Sequence, residues 1–179
     1  MALVKWCLQQ KNGLELVESN STMADSYLRM AEESLAVLPN MEKSNIWKAT
    51  TSYYIFYYSL YALMLRIGIK CEIHSCSLAF MRECLGAFYT SHDTDMIAKA
   101  FSARIDLQYY ANRPVNQEVI EKVKDYCSGF YIKTKDTISS LREGDIDQIR
   151  ENIKALLKEN EQNQKRLRGM QHEKKQKST

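Results

Sequence analysis

Residues 49–65 read ATTSYYIFYYSLYALML, 17 uncharged positions between Lys48 and Arg66. A membrane-spanning helix needs roughly 20 predominantly apolar residues. This run carries Thr50, Thr51, Ser52, Ser59 and five Tyr. It reads as a buried helix of a water-soluble fold, with no membrane as partner. The helix is expected over residues 44–67, with Gly68 as its C-cap. Tyr53, Phe56, Leu60, Leu63 and Ile67 repeat at helical spacing, and Tyr54, Tyr57, Tyr58, Tyr61 and Leu65 fill much of the remaining circumference. A helix apolar nearly all round is buried on several sides. In so small a chain one of those sides is expected to meet a second copy, so a homodimer through the helix of residues 44–67 is predicted. Tyr suits such a place because its ring packs while its hydroxyl reaches a partner. The alternative is a central helix surrounded by its own bundle.

Working outward, helical periods recur on both sides. Ala24, Tyr27, Leu28, Ala31, Leu35 and Leu38 form one, with Thr22 and Asp25 resembling a capping box and Pro39-Asn40 as its stop. Before it, residues 1–20 suggest a short helix, a break at Asn12-Gly13 and a strand-like or irregular LELV. After Gly68, a helix beginning past His74 carries Leu78, Met81, Leu85 and Phe88. The next, capped by Ser91, carries Ile97, Phe101, Arg104 and Gln108 until Arg113-Pro114. Asn116 caps a long helix through Ile120, Val123, Cys127, Phe130, Thr134, Ile138 and Leu141, with Val115 and Ile120 as a hydrophobic staple. Gly144 is expected to close it. Asp145 then begins a helix with Ile146, Ile149, Ile153 and Leu156, which frays beyond Lys158 into a polar, disordered tail.

Composition agrees. The chain has 179 residues, 45% hydrophobic and 26% charged, with only 6 Gly and 2 Pro. So few turn residues exclude a sandwich or barrel of many short strands. The fold class is all-α: an up-and-down helical bundle of four to five core helices plus a C-terminal helix. Net charge is +3, but residues 158–179 hold seven Lys/Arg against three Glu, leaving 18 basic and 19 acidic residues elsewhere. Only the tail is basic; Lys165, Arg166, Arg168, Lys174, Lys175 and Lys177 could add phosphate affinity or merely solubilise. Five Cys form no regular framework and no signal peptide precedes them, so reduced thiols and a cytoplasmic location are expected.

No glycine-rich phosphate loop, Cys-x-x-Cys or His-Glu-x-x-His occurs, and no cofactor is expected. Cys71, His74, Cys76 and Cys84 match no common zinc spacing, so no metal is expected. His74, between the Gly68 turn and the next helix, either ties the loop to the bundle or takes part in a site. His92 lies in a Ser-His-Asp-Thr turn whose consecutive residues cannot converge as a triad. Arg104 follows Phe101 by three positions and Ile97 by seven, and so projects from an apolar face. An Arg so placed is costly unless paired or used. Asp106, Asp125 or a neighbouring helix could pair with it; alternatively its planar fork binds an anion such as phosphate.

Three segments together, YLRMAEESLAVL, TSYYIFYYSLYALMLRIGIKCEIHS and ARIDLQYY, resemble the HEPN family (higher eukaryotes and prokaryotes nucleotide-binding domain), more narrowly its small archaeal-type members that open with a WCLQQKNGLELVE-like segment. The resemblance covers residues 1–142, of which 1–20 form an N-terminal extension; residues 143–179 are a C-terminal helix and basic tail outside it. It implies a bundle that dimerises and, in many members, a metal-independent ribonuclease or toxin encoded beside a nucleotidyltransferase antitoxin. Active members carry Arg, four to six residues, then His. Here Arg104 matches the Arg, while Tyr109, Tyr110 and Ala111 stand where His is expected. Tyrosine, with a pKa near 10, donates a hydrogen bond but is a poor base at neutral pH. The resemblance therefore implies a toxin-antitoxin or RNA-regulatory protein that binds RNA or a nucleotide through Arg104, Tyr109, Tyr110 and His74. The alternatives are a ribonuclease with Arg104 and Tyr109 as catalytic pair, or a non-catalytic partner of a nucleotidyltransferase.

Overall fold

The computed structural model describes residues 1–110, 113, 114 and 116–176, with residues 164–176 described by backbone alone. Among these lie seven α-helices and two two-residue strands: α1 (Ala2–Cys7), β1 (Glu15–Leu16), α2 (Ser21–Val37), α3 (Asn45–Ile67), β2 (Ile69–Lys70), α4 (His74–Cys84), α5 (Ser91–Tyr109), α6 (Gln117–Ser140) and α7 (Glu143–Gln176). A 3₁₀ turn, Leu38–Met41, carries the chain round Pro39 from α2 to α3. The fold is an all-α bundle, as the patterning requires.

Helix α3 is its axis. Ser44 caps it by accepting from the Trp47 amide, and Gly68 ends it at φ 83°, a left-handed conformation that glycine adopts without a Cβ penalty. The last carbonyls of α3 are taken up from outside. Arg150 of α7 donates from Nη1 to the carbonyls of Ile67 and Gly68 at 3.0 Å and of Val17 at 2.8 Å. A side chain on Gly68 would strike that guanidinium. Here β1 pairs antiparallel with β2, Leu16 opposite Ile69, and Asn12 turns the chain at φ 61°. Helix α7 is thereby bound into the bundle, burying Ile149, Ile153 and Leu156.

Helices α2, α6 and α5 wrap α3, with α6 touching both of the others. Tyr57, Tyr61 and Leu65, whose positions suggested a second copy, are buried within this one chain. Apart from Asn45 and Ile46 in its first turn and Arg66 in its last, the surface of α3 left partly open is a stripe of Trp47, Thr51, Tyr54 and Tyr58. Its spacing of four, three and four residues is one helix face, running between α2 and α5.

Several boundaries differ from the sequence reading. Asn20, not Thr22, caps α2 by accepting from the Met23 amide. Thr90, not Ser91, caps α5 in a reciprocal box with Asp93. Gly144 lies inside the first turn of α7 instead of closing α6, since α6 already ends at Ser140. Helix α7 continues to Gln176, past the fraying expected at Lys158. Val115, half of the expected staple, lies outside the described residues, as do the side chains of the basic tail.

Reduced thiols were expected throughout, and that is corrected. Cys7 and Cys76, with Cα atoms 5.6 Å apart, form a disulfide, while Cys71, Cys84 and Cys127 are free. Spacing in sequence cannot show that α1 folds onto α4. Disulfides are rare in cytosolic proteins, so this bond lends no support to a cytoplasmic location. No described helix is long and apolar enough to cross a membrane.

Candidate functional site

Helices α3 and α5 run antiparallel, and side chains at helical spacing zip them together. Gln108 donates to Thr50 Oγ1 at 3.1 Å, and one turn earlier Arg104 donates from Nη2 to the Tyr54 hydroxyl at 3.3 Å. Another turn back, the Phe101 ring lies 5.4 Å from that of Tyr53. The Arg104 guanidinium sits between two aromatic faces, its Cζ 5.2 Å from the ring centres of both Tyr53 and Tyr54. Such contacts favour the cation. Its Nε is buried and hydrogen-bonds to nothing.

No carboxylate pairs with Arg104 among the described residues. Asp106 is held by Arg113 at 2.8 Å, and Asp125 lies beside Lys124 at 3.9 Å. The structural reading of Arg104 as an internal ion pair therefore has no partner here. A guanidinium with aromatic walls and no carboxylate partner has the chemistry to hold an anion through its planar fork.

His74, the first residue of α4, closes one end of this cluster. Its ring stacks on Tyr57 at 4.1 Å with an interplanar angle of 1°, and lies 5.7 Å from Tyr53 and 6.3 Å from Phe101. The Tyr53 hydroxyl and His74 Nδ1 share a hydrogen bond. Burial pushes the Tyr53 phenol well above its usual range, so it keeps its proton; burial first, and the Arg104 charge second, hold His74 below the usual imidazole value. Both groups are neutral at pH 7. Because a hydroxyl donates or accepts, Tyr53 supports either His74 tautomer. Burial likewise raises Tyr57 and Tyr58.

The structure thus gathers Arg104 and His74 around Tyr53. It does not bring Tyr109 or Tyr110 to them. Helix α5 is unbroken to Tyr109, and five residues turn an α-helix through ~140° away from Arg104. Both tyrosines are exposed. Tyr110 is covered by the Arg113 guanidinium, 3.7 Å from its ring centre. Ala111, the third position for the family His, lies outside the described residues. Tyr53, Tyr54 and Phe101 are the site residues that motif matching passes over; Tyr53 and Tyr54 were legible only as packing groups of the central helix.

Cys76 is spent in the disulfide, so Cys71, His74, Cys76 and Cys84 do not form a ligand set. Among the described residues no three His, Cys, Asp or Glu gather as a metal-holding group. No known protein-family model and no curated protein matches this chain.

Proposed function

We propose that the protein is a HEPN-like homodimer that binds RNA or a nucleotide at the seam between α3 and α5, with Arg104 holding a phosphate. The observation that carries this reading is the state of Arg104: half-buried, walled by Tyr53 and Tyr54, and without a carboxylate partner among the described residues. Leaving such a cation unneutralised is costly unless a ligand completes it. The open stripe of α3 is where the second copy packs. Trp47 at 58% exposed begins it, and Tyr54 carries it directly to Arg104. A two-fold axis across that stripe brings two Arg104 side chains to one cleft.

One observation favours a second reading, a metal-independent ribonuclease. The family pairs its Arg with a His, and His74, from a different helix, stands across Tyr53 from Arg104. Its depressed pKa leaves a neutral imidazole at pH 7, the form a general base requires.

Titration of a labelled single-stranded RNA by anisotropy tests the first reading. Arg104→Ala is expected to weaken binding at least tenfold, and Arg104→Lys to recover part of it, since Lys keeps the charge but loses the fork. Equal affinity in all three proteins rejects the reading. Cleavage of the same RNA in EDTA, abolished by His74→Asn, would select the ribonuclease.

A further inference from the structure

Helix α1 has six residues and little reason to be helical alone, yet it is tied down on two sides. The disulfide joins Cys7 to Cys76 of α4, and Glu83 of α4 accepts from the Leu3 and Val4 amides at 3.4 and 3.2 Å. From α7, Asn160 donates to the Lys5 carbonyl at 3.0 Å. Val4 and Cys7 face inward and are buried. Leu3 and Trp6 face outward, each 51% exposed. A tryptophan held half in water on an anchored helix is a rigid platform in search of a flat partner.

Beneath it runs a groove of about 280 Å³ between α1, α4 and α5. Trp6 and Phe101 give it aromatic surface, and Ser75, Ser102 and Arg82 are its polar lining residues. No carboxylate lines it, and Arg82 has no ion-pair partner among the described residues. Phe101 is also the wall of the site already described, packing on Tyr53 and His74. Arg104 lies one turn further along α5, a rise of about 4.5 Å.

We propose that this groove is a base-binding slot for single-stranded RNA, with Trp6 as its stacking platform. The proposal rests on the phosphate-binding reading of Arg104 and names what sits beside that phosphate. Unstacked bases are recognised by aromatic faces together with hydrogen bonds to their polar edges. The two serine hydroxyls both donate and accept, so they meet either kind of base edge. Arg82 adds a cation for the next phosphate. Most of the lining is apolar, with Leu3, Leu78, Ala79 and Ala98 beside the two aromatic rings, and this suits the faces of a base. An amphipathic peptide helix would need a groove long enough for several anchors at helical spacing, and about 280 Å³ is too small for such a row.

The test compares two ligands of equal charge: a six-nucleotide single-stranded RNA and an abasic phosphodiester of the same length, each end-labelled for anisotropy. The wild-type protein is expected to prefer the RNA by about tenfold, the value of one good stack. Trp6→Ala should erase that preference while leaving affinity for the abasic chain unchanged; Trp6→Phe should keep most of it. Trp6 is half exposed, so Trp6→Ala should fold, and an unchanged thermal melt verifies this. A preference that survives Trp6→Ala overturns the slot; if Arg104→Ala still abolishes binding of both ligands, the phosphate reading stands without it. Failure of the wild-type protein to bind either ligand overturns both.

Discussion

Lys48 and Arg104 are both cations taken largely out of water at the flanks of α3, and the chain treats them in opposite ways. Lys48 is 2% exposed, and its Nζ lies 2.5 Å from Glu121 and 3.2 Å from Glu42. Lys124 joins the same two carboxylates at 2.8 and 2.9 Å. The result is a closed quartet that pins the turn before α3 to α6. The hydrogen bond from Lys48 brings the Glu121 carboxyl down to about 2, and the reciprocal bond to Glu121 raises Lys48. Arg104 receives none of this. Its company is two tyrosine rings and one phenol, and its Nε bonds to nothing. Lys48 is satisfied from within its own chain; Arg104 is left open, as the proposed phosphate site requires.

The comparison breaks most visibly if a member of the quartet is removed. Glu121→Gln leaves buried Lys48 with Glu42 alone. We expect a loss of about 2 kcal/mol, less than the full cost of breaking a buried pair because one carboxylate remains. Chemical denaturation measures it; a change within error would mean that water already neutralises Lys48. The same quartet should shape acid stability. Glu121 and Glu42 are both held below the ordinary carboxylate value of 4.5. Their contribution is therefore complete above that value and is lost as the pH falls from 4.5 toward about 2. Denaturation midpoints across that range should fall more steeply for the wild-type protein than for Glu121→Gln.

Arg104→Ala should behave differently. It removes two cation–π contacts and one hydrogen bond but strands no carboxylate, and it relieves a buried donor that had no acceptor. The net loss should be about 1 kcal/mol or less. A loss near 3 kcal/mol would reveal a hidden counter-ion and erase the contrast with Lys48.

What the sequence disclosed follows from what is local. Gly68 and Asn116 cap helices through their own neighbours and were read as caps where they stand; Ser44 was read only as the start of its helix, which it caps. Asn12-Gly13 was legible as a break for the same reason. The near misses, Asn20 for Thr22 and Thr90 for Ser91, separate residues of nearly equal capping propensity, and tertiary fit decided between them. The site was half legible. Arg104 stood out because a charge on an apolar face needs an explanation. Its surroundings did not, because Tyr53, Tyr54 and His74 are 51, 50 and 30 positions away along the chain. Tyr109 was a match of spacing alone, and an intact helix turns it elsewhere. The Cys7–Cys76 bond spans 69 residues, beyond any local signal.

The smallest effect is the most discriminating. His74 is held below the imidazole value of 6.5, first by burial and second by the Arg104 charge. Its folded value is depressed, so the folded protein binds fewer protons than the unfolded chain between that value and 6.5. The stabilising contribution is therefore full above 6.5 and is lost as the pH falls through that window. If Arg104 is uncompensated, Arg104→Ala must let the His74 pKa rise part of the way back toward 6.5; burial, the larger cause, remains. NMR titration of the three histidine ring resonances follows this directly, with His92 and His172 as internal references. An anion bound at Arg104 should raise the His74 pKa as well, by adding negative charge beside it, so a phosphate mononucleotide in place of the mutation should move the same resonance in the same direction. If neither the mutation nor the mononucleotide moves it, the Arg104 charge is already neutralised, and the distinction between the two cations fails.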